Sequence, residues 1–81
     1  MPAFSRKTIL AATDLLENRI HSDLNRFELE YGLENEPLPR GSIRDRATGI
    51  ARYLLANPHA TDEDGRNLTD VIVEVLVRGA M

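Results

Sequence analysis

Residues 67–77 read NLTDVIVEVLV, and whether this apolar run is a strand or a helix decides the fold. Val71, Ile72, Val73, Val75 and Val77 are β-branched, a class that favours pleated surfaces. Strict alternation nevertheless fails, and no second convincing strand exists for the run to pair with. The helical reading is complete: Asn67 stands as cap, Asp70 follows three residues on, and Leu68, Val71, Ile72, Val75 and Leu76 share one face. The segment is read as a helix closed by Gly79, and the fold class as all-α. Val73 and Val77 fall off the main stripe. Either this helix is central and buried almost all round, or those valines meet another domain or subunit.

Helical spacing holds upstream as well. Ser5 is placed to cap a helix from about Arg6 to Arg19, with Ile9, Ala12, Leu16 and Ile20 on one face and Leu10 and Leu15 widening it. Ser22 reads as the cap of a short second helix that aligns Leu24, Phe27 and Tyr31 and stops at Gly32, after which Leu33 can fold back onto Phe27. Pro37, Pro39 and Gly41 form a stiff connector, because proline lacks an amide donor and drives its predecessor out of helical geometry. Ser42 with Asp45 resembles a capping box. The third helix then turns Ile43, Ala47, Ile50, Ala51 and Leu54 inward and ends near Asn57, before Pro58. HATDEDG, residues 59–65, is a loop or one helical turn capped by Thr61. The expected core is Ile9, Leu16, Ile20, Leu24, Phe27, Ile43, Ile50, Leu54, Val71, Ile72 and Val75.

A chain of 81 residues builds one core, so residues 1–81 are read as a single small compact bundle of four to six helices. There is no cysteine, hence no disulfide framework or thiolate metal site, and a reducing cytoplasm is the expected home. The start, MPAFSRKTIL, lacks the apolar run of a secretion signal, and no stretch nears the roughly 20 apolar residues of a membrane span. A formal charge of −3 argues against a general nucleic-acid binder.

No catalytic or ligand motif emerges. Lys7 is the sole lysine and neither glycine-rich phosphate fingerprint occurs. DEDG, residues 62–65, has the acidity of a calcium loop but places Asn67 and Val73 at loop positions six and twelve, so it reads as a solvated turn. His21 and His59 lie in connectors without a partner at ligand spacing and are read as surface residues. Ser5, Ser22 and Ser42 are caps before they are nucleophiles. The chain is therefore read as no enzyme, with no cofactor, metal or small-molecule ligand expected. Arg40, Arg44, Arg46 and Arg52 are the local basic concentration, and a DNA-binding regulator is the alternative they raise. At 100° per residue, Arg52 falls opposite the apolar stripe while Arg44 and Arg46 flank it on different sides, so no single groove-facing ridge forms.

FSRKTILAATDLL, YGLENEPLP, GSIRDRATGIARYLL and NLTDVIVEVLV together resemble the small helical amino-terminal domains of bacterial abortive-infection proteins and the related effector-associated, death-like adaptor domains. The likeness spans nearly the whole chain and is one of pattern: a glycine-leucine after the second helix, a serine-capped basic third helix, an apolar last helix. It implies a death-like bundle serving as a non-enzymatic adaptor, often the amino-terminal module of a larger protein, that couples a sensor or effector to partners in antiphage defence. It carries no residue-level site.

The charge layout points to contacts without the resemblance. ENEPLPRGSIRDR, residues 34–46, passes from glutamates over a proline connector into arginines, with Glu28 and Glu30 upstream and Arg52 downstream. Opposite patches on one rigid bundle can dock head to tail on a homotypic or related helical domain, while intramolecular pairing of the same patches would only stabilise the monomer. The expected interaction residues are Glu34, Glu36, Arg40, Arg44, Arg52, Val73 and Val77.

Overall fold

The computed structural model describes residues 4–78, and among these the regular elements are helical. They are α1 (Arg6–Asp14) continued by a 3-10 turn (Leu15–Asn18), α2 (His21–Glu30), α3 (Ile43–Ala56) and α4 (Leu68–Arg78). The expected close of α4 at Gly79 lies outside the described residues. Among them, no helix is long and apolar enough to cross a membrane.

Three caps form as their residue types require. The Ser5 hydroxyl accepts from the Thr8 amide at 3.2 Å, Ser42 from Asp45 at 3.1 Å, and Asn67 Oδ1 from Asp70 at 3.0 Å. Each satisfies one of the amides that a helix start leaves without an intrahelical partner. At the far end of α2, Gly32 adopts φ +71°. The Leu33 amide then reaches Glu28 O at 2.7 Å and the Gly32 amide reaches Leu29 O at 3.4 Å, the paired bonds of a Schellman stop. Leu33 lands in the same core as Phe27, 1% exposed.

The first helix ends earlier than its apolar spacing predicts. Thr13 Oγ1 bonds back to the Ile9 and Leu10 carbonyls, both at 3.1 Å, and the Leu15 amide reaches only three residues back to Ala12. The turn tightens towards 120° per residue, so side chains after Asp14 rotate off the stripe that a continuous α-helix would keep. Leu16 stays buried, but Leu15 is 45% exposed and Ile20, expected in the core, is 62% exposed. Leu10 is 42% exposed and does not widen the buried face. Ser22 is not a cap. Extended Ile20 takes that place, its carbonyl accepting from Asp23 and Leu24 at 3.0 and 3.2 Å.

Helix α1 packs on α3 and α4, and α2 packs on α3. The buried core joins Ile9, Leu16, Leu24, Phe27, Ile50, Leu54 and Ile72 with Leu33, Leu68 and Leu76. Ile43, Val71 and Val75 are only partly buried. Val73 is buried, so the core face of α4 is wider than its main stripe, but the helix is not buried all round: it packs chiefly on α1, and Val77 is exposed.

Two connectors fix the helices. Pro39 lies directly over Gly49 of α3, where a Cβ would meet the proline ring, with Cγ only 2.9 Å away. This mid-helix glycine is where the connector and α3 touch. Residues 59–66 form no helical turn. Thr61 and Asn67 make an isolated antiparallel bridge around a turn whose Asp62 Oδ1 accepts from Asp64 and Arg66, both at 2.9 Å. Asn67 Nδ2 donates to Pro58 O at 2.9 Å while Oδ1 caps α4, so one side chain ties the loop to the helix start.

Candidate functional site

Along α2, His21, Asn25 and Glu28 recur at four- and three-residue spacing, which puts three polar groups on the side facing α3. Arg46 of α3 enters among them with its side chain 4% exposed. Its Nη1 lies 3.0 Å from His21 Nδ1 and 3.2 Å from His21 O, and its Nη2 lies 2.7 Å from Asn25 Oδ1 and 3.2 Å from Glu28 Oε2. Guanidinium offers donors only, so His21 Nδ1 accepts here. Arg46 Nε has no hydrogen-bond partner among the described residues. Glu28, 2% exposed, also takes Arg40 Nη1 at 2.6 Å, and Arg40 Nη2 reaches Glu34 O at 3.3 Å. One carboxylate thus fastens α2, the connector and α3 together, and part of the charge polarity is used inside the fold. His21, read as a surface residue in a connector, is exposed as expected but opens α2 and joins this cluster.

The expected interaction residues fall into two groups. Arg40 holds Glu28 and Val73 is core, so both serve the fold. Glu36 is half-buried and accepts from the Tyr53 hydroxyl at 3.5 Å. Arg44 reaches Glu17 at 3.5 Å with its side chain 84% exposed, a pairing too solvated to hold it. Glu34 and Arg52 are exposed, and neither side chain makes an ion pair among the described residues. Val77 is 67% exposed, unlike its neighbour Val73.

Among the concavities lined by the described residues, three stand out. Phe4, Val73 and Val77, edged by Asp70, Glu74 and Arg78, line a groove of about 430 Å³. Pro37, Leu38, Pro39, Gly49 and Arg52 line part of another, of about 350 Å³. The third, about 260 Å³, is walled by Tyr31 and Tyr53 with Glu30, Asp62, Glu63 and Leu68. Burial, and then the charges of Glu30 and Asp62, push the Tyr31 phenol above its ordinary range. Tyr53 is raised by burial, then by the charge of Glu36 and its hydrogen bond to that carboxylate. Sequence reasoning missed this cavity because its walls come from the end of α2, the last turn of α3, the 60–63 turn and the start of α4. Among the described residues, no three acidic or histidine side chains converge as a metal site would require.

Comparison of the chain with protein-family models, with curated proteins and with solved structures finds no match.

Proposed function

We propose that the chain is a protein-protein interaction module, a non-enzymatic adaptor whose contacts run through its exposed charges and its α4 groove. The observation that carries this reading is Val77. It is a large apolar side chain left 67% exposed on a small bundle, beside Phe4 and the buried Val73 and edged by Asp70, Glu74 and Arg78. An apolar centre with a charged rim is the anatomy of a protein contact. Glu34, Arg44 and Arg52 supply free or weakly held charge elsewhere on the surface, and Leu10, Leu15, Ile20 and Leu29 add exposed apolar area.

The death-like form of the bundle and a role in coupling sensor to effector in bacterial antiphage defence rest on the pattern likeness alone. They are proposed on that footing, with a homotypic or related helical domain as partner and the cytoplasm as location. The DNA-binding alternative has less support, since Arg46 is buried and Arg40 is committed to Glu28.

Charge exchange tests the reading. One copy carries Glu34→Lys and Glu36→Lys, the other Arg44→Glu and Arg52→Glu. Each alone should remain folded by circular dichroism and lose self-association, and an equimolar mixture should regain it because one interface is again complementary. Unchanged association in both single variants would refute the charge-guided contact.

A further inference from the structure

The chain has two tyrosines, and both line the same cavity of about 260 Å³. Tyr31 packs on the buried Phe27, ring centroids 4.8 Å apart and planes tilted by 56°, so that wall is positioned by the core. Glu30, Asp62 and Glu63 add negative charge, Ala60 and Leu68 add apolar surface, and no basic residue lines the space. Its volume is below the roughly 300 Å³ at which cofactor and drug-sized pockets begin, so it suits one side chain.

The chemistry narrows the occupant. A hard divalent ion needs six or more converging oxygens, which the described residues do not bring together, and Asp62 Oδ1 is already occupied by the Asp64 and Arg66 amides. Aromatic rings with nearby carboxylates instead favour a weakly hydrated organic cation, and the apolar lining favours one carried on a hydrocarbon stem. Guanidinium meets both conditions better than ammonium, because it is planar, stacks on rings and forks onto carboxylates. We propose that the Tyr31–Tyr53 cavity is a receptor for an arginine side chain presented by a protein partner.

The site names the recognition element of the interaction module and rests on that reading only for the source of the arginine. With no tryptophan in the chain, tyrosine emission reports on this cavity alone. The probe is N-acetyl-arginine amide, set against the citrulline analogue, which keeps the shape without the charge. Arginine should change the emission saturably and shift the Gly32, Ala60 and Leu68 amide resonances, with citrulline at least about tenfold weaker. Tyr31→Leu and Glu63→Gln, each checked for fold by circular dichroism, should weaken arginine binding about tenfold, while Asp14→Asn, exposed at the end of α1, leaves it unchanged.

Equal binding of citrulline would overturn the proposal, as would an equal loss in Asp14→Asn, which would mean a diffuse field effect. Equal binding of the lysine analogue would overturn the guanidinium assignment. Light scattering on the same samples separates the two levels. Salt-sensitive self-association without arginine binding sinks the receptor and leaves the module, whereas saturable arginine binding by a strict monomer does the reverse for self-association.

Discussion

Glu28 Oε2 and Arg46 Nη2 lie 3.2 Å apart with side chains 2% and 4% exposed, a buried ion pair joining α2 to α3. Removing charges from water costs several kcal/mol per ion, and mutual attraction offsets this only when the other donors and acceptors are also met. His21, Asn25 and Arg40 provide most of those partners.

Deleting one partner should therefore cost far more than deleting both. Glu28→Gln leaves two guanidinium groups facing an uncharged amide and should lower stability by about 3–5 kcal/mol in urea denaturation. Glu28→Met combined with Arg46→Met should lie within about 1 kcal/mol of the wild type or above it. A single variant as stable as the wild type would show that the pair is not held out of water.

Core depth gives a second contrast. Leu54 is 1% exposed and Leu54→Ala should cost about 2–5 kcal/mol, a large part of the stability of so small a domain. Ile20 is 62% exposed, and Ile20→Ala should change stability by less than about 0.5 kcal/mol. Equal losses would restore Ile20 to the core.

What was readable in advance follows the range of the interaction. Ser5, Ser42 and Asn67 act within three residues of themselves, and Gly32 within one turn, so caps and stops show in the sequence. The α1 stripe misled beyond Asp14 because a 3-10 turn changes the angular step at Leu15 and the chain is then extended at Arg19 and Ile20, which leaves Ile20 outside any helix and exposed. Arg46 sits at the edge of the α3 stripe, and its burial depends on Glu28, 18 residues away across a chain reversal. The 21, 25, 28 polar spacing on α2 was the available signal for that cluster. Val73 and Val77 differ only through the position of α4 in the bundle, which no local pattern contains.

The contact between Pro39 and Gly49 makes a test of the connector. Gly49→Ala improves helix propensity by about 1 kcal/mol yet drives a methyl group into the proline ring, and the net effect should be a loss of about 1–3 kcal/mol. In a Pro39→Ala background the same substitution should stabilise. Thermal melts of the four proteins resolve the coupling, and additive effects would refute it.

The two raised phenols set an alkaline limit. The folded state holds these protons to higher pH than the unfolded chain, whose tyrosines titrate near 10. The stabilisation is complete below pH 10 and declines as pH rises from there towards the folded values, because only the unfolded state is then releasing protons. Absorbance at the tyrosinate band should show both residues ionising above the free phenol, and the urea midpoint should fall through the same window. Glu36→Gln should bring Tyr53 back towards the ordinary value.

Self-association of the wild-type chain, followed by light scattering over protein concentration at several ionic strengths, tests the interaction reading most directly. Single exposed ion pairs contribute about 0–1 kcal/mol, so a contact built from several should weaken as the Debye length shortens from about 10 Å at 0.1 M salt to about 3 Å at 1 M. The expected result is a mass above that of the 9.1 kDa monomer that grows with concentration at low salt and returns to the monomer at high salt. A monomer at every concentration in low salt would contradict it.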